Sequence, residues 1–376
     1  MVNQEQDTVS LYAVGDVCVN RDNPESAFAL CSSVTNEADI AFCQLETMYS
    51  ERGAPSLLAG KALRAHPRNV SGLTSAGFDV ASLAGNHCLD WGDDALLDTI
   101  EVLEGNNIRT VGAGKNIAEA RKPLIIERKG LRIAFLAYNS ILPHRYWADT
   151  DKPGCAPIRA STLYEPFEHG QPGTPARILT FADKQDLEAM ISDIRNARKS
   201  ADVVIVSLHW GLHFAPATLA MYQKEVGYAA IDAGAEMIIG HHAHILKGIE
   251  VYKGKVITYS LCNFAFDLHI TAKDFESPKR KELAKVYPNR KWFPDYPTYP
   301  FPFDSRKTIL VKCSISKKGV QKVSFLPVLV NSQGQPEVLK RQDKRSLEVF
   351  NYMDELCKEL GTKLSFEGDE VLIHTE

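Results

Sequence analysis

IIGHHAHILKG, residues 238–248, sets three histidines within four positions directly after an apolar run. The letters leading into it, AEMIIG, read as a buried strand that stops at Gly240, because a short continuous apolar run broken by glycine is the pattern of such a strand. If the chain stays extended past that glycine, His242 and His244 point the same way and can grip one ion or two neighbouring ions, while His241 points elsewhere. A His-rich surface loop would carry the same letters, since histidine is intermediate in burial and often does nothing. The stretch alone leaves both readings open, and the remainder of the chain has to separate them.

Outward from it, short apolar runs alternate with helical patterns. SLYAVGDV, DIAFCQLE, FDVASLAGNH, LRIAFLAYNS and DVVIVSLHWG read as strands. Between them lie PESAFALCSSVTNEA, a segment opened by Pro67, DDALLDTIEVLEGNN, the amphipathic stretch 183–199 and PATLAMYQKEVGYAAIDAG, which read as helices. That alternation is an α/β rhythm. Two hairpins follow, turning at Lys253-Gly254 and near Lys318-Gly319, and are expected as return strands of a second sheet. A C-terminal helix over about 344–360 and a strand pair end the chain. The expectation is one domain over 1–376 with insertions at about 143–175 and 268–307 and a helical and strand extension from about 335. Loops of that length inside a compact domain are commonly functional. The second carries Lys279, Arg280, Lys281, Arg290 and Lys291 on an aromatic, Pro-rich background and is expected to act as a mobile lid with anion contacts.

Each apolar run is followed by a metal-ligand type: Asp16, then Glu46, then Asn86-His87, then His209, then His242 and His244. In open α/β sheets, sites form in the crevice outside the strands' carboxyl ends, so residues this far apart in sequence are expected to converge. Singly, each has an ordinary role: a cap, a turn residue or a core histidine. Together they read as a metal site. Carboxylates, an amide oxygen and imidazoles suit Mn²⁺, Fe or Zn²⁺ rather than a thiolate-rich structural zinc. With one carboxylate bridging, two ions could clamp a phosphoryl group and activate water. His87, beside the ligand Asn86, is left for acid chemistry. Asp90, three residues on, is placed either to hydrogen-bond that ring or to cap the helix that follows.

Composition narrows the partners. With 376 residues, 44% of them hydrophobic, the chain can bury a sizeable core. Lys+Arg of 43 against Asp+Glu of 47 gives a net charge of -4, so no global field recruits nucleic acid or an anionic membrane, and an anionic substrate must be held by local groups. Eight cysteines are scattered without a CxxC pair, as expected of reduced core thiols in a cytoplasmic protein. No secretory signal or membrane span is expected, and the oligomeric state is left open.

The order of these motifs, Gly15-Asp16, QLE at 44–46, GNHCLDWG at 85–92, HWG at 209–211, GHHAH at 240–244 and SLCNFAFD at 260–267, resembles the poly-gamma-glutamate capsule-biosynthesis family of the CapA type, a branch of the calcineurin-like metallophosphoesterases. The resemblance covers about residues 10–330. It implies a four-layer α-β-β-α sandwich, the calcineurin-like metallophosphoesterase fold, with a dinuclear site at the strand ends. By resemblance, Asp16, Glu46 and His244 hold one ion; Glu46, Asn86, His209 and His242 hold the other; His87 takes the proton-donor position. His213, His241, Asn263 and Arg145 are the candidates for substrate contact. The chain departs from the pattern at Cys18, where the wider superfamily has a histidine, at His213, where the family usually has an acidic residue, and at Cys262, which replaces a glycine. Three functions are compatible: a phosphoesterase acting on a small or polymeric anionic substrate, a γ-glutamyl amide hydrolase or transferase in polyglutamate metabolism, and a non-catalytic accessory protein. His87 argues against the third, because a non-catalytic descendant has no need of an acid beside an intact ligand set.

Overall fold

The computed structural model describes residues 8–286 and 292–375. Four strands, Val9–Cys18, Ile40–Leu45, Val80–Ser82 and Arg109–Val111, lie parallel and side by side in sequence order. On the other flank of Val9–Cys18 the sheet continues with Lys307–Ser316 and then Gly319–Val330, both antiparallel to their neighbours. Pairing with Lys307–Ser316 covers only Val9–Ala13; at the carboxyl end the strand Asn263–Phe266 takes over, setting Asp16 opposite Asn263 and Cys18 opposite Phe266. The second sheet has a parallel centre of Leu131–Asn139, Val203–His209, Met237–His241 and Lys255–Thr258, edged by the antiparallel strands Leu124–Arg128 and Ile249–Tyr252.

Side chains alternate across a strand, and here that period of two separates the layers. Val203 and Ile205 join the core shared with the first sheet, where Phe42 stacks on Phe135 with ring centroids 5.8 Å apart. Val204, Val206 and Leu208 point the other way, against Met190 and Ile194 of the helix Lys184–Ala197 and Val226 and Ala230 of the helix Met221–Ala233. Phe28, Leu73, Leu96 and Leu103 belong to the core of the first sheet and are carried by short helical segments and the helix Asp93–Gly105. The layering is therefore helix, sheet, sheet, helix. Asp183 begins one outer helix by accepting from the amides of Gln185 and Asp186, both at 3.0 Å, and Gly234, at φ 115°, ends the other.

One expectation is corrected. The hairpin Lys307–Val330 belongs to the first sheet, beside Val9–Cys18, and only Ile249–Thr258 joins the second. Alternation reports how a strand is buried, not which strand it pairs with. The segments that break the rhythm also carry regular structure: within 143–175 the strand Ala160–Pro166 pairs with Ala176–Ala182, just beyond it, in an exposed hairpin, and 268–307 contains the helices Ala272–Phe275 and Pro278–Val286. Arg290 and Lys291 of the expected lid lie outside the described residues, as does the side chain of Lys279. All eight cysteines are free and buried. Among the described residues, no helix is long and apolar enough to cross a membrane.

Candidate metal centre

Two glycines let the two sheets deliver their polar ends to one place. A Cβ on Gly15 would stand 1.9 Å from the Cys262 carbonyl oxygen, and one on Gly240 would stand 2.3 Å from that of Tyr259, so neither position admits a side chain. With backbones this close, the Asp16 amide donates to Cys262 O at 2.9 Å. Cys262 itself has φ 68°, a left-handed conformation that glycine adopts at less cost than a residue with a Cβ.

Beyond Gly240 the chain does not stay extended. His241 closes the strand, and His242 and His244 sit at φ 86° and 51°. Both imidazoles nevertheless reach the strand ends, by a left-handed turn rather than by extended alternation. Strained backbone of this kind at non-glycine residues costs on the order of 1 kcal/mol or more each and persists where the surroundings hold it.

Two donor groups result. In the first, one ligand atom from each of Asp16, Glu46 and His244 lies within 4.8 Å of the others, and all three residues are buried. His244 Nε2 is 3.5 Å from Glu46 Oε1, while its Nδ1 is held by Asn263 Oδ1 at 2.6 Å. Asp16 Oδ2 accepts from the His242 amide at 3.1 Å. In the second group, His209 Nε2 lies 2.7 Å from Asn86 Oδ1 and 3.2 Å from His242 Nδ1. Burial, then the neighbouring imidazoles, pushes the pKa of both His209 and His242 well below the ordinary histidine value, which keeps them neutral and their lone pairs available.

The chemistry of this donor set fits divalent ions. Asp16 Oδ1 and both carboxylate oxygens of Glu46 are buried without a hydrogen-bond partner among the described residues. Unpaired carboxylate oxygens clustered in an interior are costly unless an ion satisfies them. Without one, burial and then the charges of Asp16 and Asp90 push the Glu46 carboxyl well above the usual carboxylate range. Cys18 adds no ligand to this set. Its thiol packs among Leu63, Phe266 and Phe301, with Sγ 3.6 Å from Asp267 O, and burial raises its pKa well above that of an exposed thiol.

His87 stands at the edge. Its Nδ1 is 2.6 Å from Asp90 Oδ2, and its Nε2 faces Glu46 Oε1 at 3.8 Å. Asp90 is not the helix cap, a position taken by Gly92 at φ 83°. Its carboxylate is fixed instead by the Leu63 amide at 2.7 Å and the Tyr146 hydroxyl at 3.2 Å. Neither partner could be read from sequence, because Leu63 and Tyr146 sit in loops with no motif of their own.

Asn86, His87 and His213 line a cavity of about 380 Å³. The His213 ring lies over His242 with centroids 4.0 Å apart, so it joins the pocket from the loop after His209. The other expected substrate contacts are placed differently. His241 is fully buried, its Nδ1 3.4 Å from Asp16 Oδ1 and its ring centroid 6.1 Å from that of Phe42, because as the last residue of a central strand it faces the opposing sheet. Asn263 is buried between His244 and the Tyr299 hydroxyl, which it reaches at 2.9 Å, and orients a ligand candidate instead of meeting solvent. Arg145 is exposed and lines a separate cavity with Ser56, His144 and Lys152. The loop carrying it turns away at a left-handed φ of 71°. Lys247, three residues past His244, follows no motif: it is buried and donates to the carbonyls of Ala215 and Thr218, tying down the loop that bears His213.

Comparison with known proteins places the chain. It is 32% identical over 206 residues to the PGA biosynthesis protein CapA of Bacillus subtilis, covering 54% of this chain and 47% of that protein. It is 31% identical over 263 residues to a probable polyglutamine synthesis accessory protein of Mycobacterium tuberculosis, covering 69% and 63%. The chain thus spans about half to two thirds of the length of these relatives. Among solved structures, the calcineurin-like phosphoesterase YfkN from Bacillus subtilis aligns over 93% of this chain and 99% of its own, at 13% identity and a TM-score of 0.36. Residues 10–268 match the family described as bacterial capsule synthesis protein PGA_cap, and the chain belongs to that family.

Proposed function

We propose that the chain is a metal-dependent hydrolase with two divalent ions, Mn²⁺, Fe or Zn²⁺, acting as a phosphoesterase on an anionic substrate. The observation that carries this reading is the pairing of buried carboxylate oxygens on Asp16 and Glu46, without a hydrogen-bond partner among the described residues, with neutral imidazoles at the ends of both sheets. Asp16, Glu46 and His244 would hold one ion, and Asn86, His209 and His242, with Glu46 between, the other. Bound there, such ions supply Lewis-acid polarisation of a phosphoryl oxygen and activation of water.

The chain's own groups do the rest. Asp90 accepts from His87 Nδ1–H, which leaves Nε2 as the nitrogen that carries the proton toward a leaving group. His213 lies over His242 and narrows the entrance, and the apolar residues Leu63 and Phe266 exclude water from one side of the cavity. A second reading, cleavage or transfer of a γ-glutamyl amide, draws on the relatives named for PGA biosynthesis.

A substrate panel separates the two. Mn²⁺-supplied protein is expected to hydrolyse aryl phosphates and to leave γ-glutamyl peptides intact. The opposite preference would favour the amide reading, and activity on neither would remove the catalytic one.

A further inference from the structure

The cavity that begins at Asn86 and His87 does not end at the metal centre. It extends along Leu63, Leu268, Ile270 and Leu283 to Arg280, in the first turn of the helix Pro278–Val286. Among the described residues, Arg280 Nη1 is buried with no hydrogen-bond partner and Arg280 makes no salt bridge. Its guanidinium lies 5.2 Å from the centroid of the Phe275 ring. Asp274, the acidic residue in the same lining, is already engaged by the Thr271 amide at 2.7 Å and its hydroxyl at 2.8 Å. A guanidinium is always charged and carries five donors in a fork that matches carboxylate and phosphate oxygens. Half-buried beside an apolar wall with a donor unused, it is arranged for an oxyanion that enters with a ligand. Lys61 lines the same cavity and adds a second positive charge, its Nζ donating to His269 O at 3.1 Å.

The volume sets the scale of that ligand. A cavity of roughly 150 Å³ can hold benzene, and about 380 Å³ therefore leaves room for a compact apolar body with a polar group at each end. This is at the small end of ligand pockets.

We propose that Arg280 receives a second anionic group of the substrate, a carboxylate or phosphate, across an apolar body from the group held at the metal centre. The inference rests on the phosphoesterase reading for the identity of the first group, but not for the existence of the second contact. It makes Arg280 a binding and specificity residue.

The test uses three probes on Mn²⁺-supplied protein, measured by calorimetry: phenylphosphonate, 4-(carboxymethyl)phenylphosphonate and 4-(phosphonomethyl)phenylphosphonate. At least one acid-ended probe is expected to bind on the order of 10- to 100-fold more tightly than phenylphosphonate, the range of a charge-assisted hydrogen-bonded pair. Whichever gains more identifies the preferred oxyanion. Arg280→Ala should erase the gain while leaving phenylphosphonate binding unchanged, and Arg280→Lys should restore part of it. Equal binding of all three probes, binding of none, a gain that survives Arg280→Ala, or an equal loss for all probes in that variant would overturn the assignment. Turnover of the matching phosphate esters is read separately: Arg280-dependent binding without hydrolysis of any ester would reject the phosphoesterase reading and retain this one.

Discussion

His87 Nδ1 lies 2.6 Å from Asp90 Oδ2, and the same carboxylate oxygen accepts the Leu63 amide at 2.7 Å. The imidazole is therefore held at one nitrogen by a group that is itself held, and its other nitrogen looks into the cavity. In the proposed function this is an oriented acid beside the metal centre.

His87→Ala is expected to keep its metal content and to lose rate by a factor on the order of 100 to 10,000, as for a positioned general acid. The loss should shrink for p-nitrophenyl phosphate, whose leaving group needs no proton. Asp90→Asn should lose a smaller factor, on the order of 10 to 100, by releasing the ring orientation. Metal analysis beside rates for good and poor leaving groups checks both. Loss of metal from His87→Ala, or equal slowing of all esters, would contradict the role.

Glu46 gives a proton signature. Burial, with Asp16 and Asp90 nearby, raises its carboxyl well above the usual range, so the metal-free protein retains a proton there at pH values where an exposed glutamate has lost it. Binding an ion requires the ionised form, and uptake should release that proton. Proton release on Mn²⁺ binding, measured by calorimetry in buffers of different ionisation enthalpy, is therefore expected between pH 7 and 6, where an exposed glutamate would have no proton left to release. His209 and His242 work in the opposite sense: burial, then the neighbouring imidazoles, lowers their pKa values, so they hold fewer protons to release than ordinary histidines would. Release that is absent throughout that range would contradict the assignment of Glu46.

Much of the candidate site is legible in the chain because its donor residues follow strands, and strand ends in an α/β sheet converge. Asp16, Glu46, Asn86, His209, His242 and His244 all emerge where the apolar runs stop. What could not be read was direction. His241 is a neighbour of two ligand candidates in sequence but faces the opposing sheet, and Asn263 turns inward to His244, because side-chain orientation at a strand end depends on the turn that follows. Arg145 depended on the path of an irregular loop, which no periodicity encodes. The hairpin Lys307–Val330 joined the first sheet because register and partner are chosen by three-dimensional packing.

Lys247 offers a stability test away from the ligands. Burial lowers its pKa from 10.5 to about 8, so between these values the unfolded chain binds more protons than the folded one. Folding stability attributable to Lys247 must then rise with pH across that window, and below pH 8 it carries a constant penalty of up to about 3 kcal/mol from a shift of this size. Lys247→Met removes the titration. Wild-type stability minus that of Lys247→Met, from urea unfolding between pH 7.5 and 10.5, is expected to increase with pH. A flat difference would mean that the buried ammonium is not strained. Because Lys247 holds the carbonyls of Ala215 and Thr218, the variant should also loosen the loop bearing His213.

The proposed two-ion site at the ends of both sheets is tested by calorimetric titration of metal-free protein with Mn²⁺, alongside His209→Ala. Two equivalents of unequal affinity are expected in the wild type, since Asp16, Glu46 and His244 offer fewer imidazoles than the set containing His209 and His242, and one equivalent in His209→Ala. Wild-type protein that binds no Mn²⁺, or a His209→Ala variant that titrates identically to it, would rule the two-ion site out.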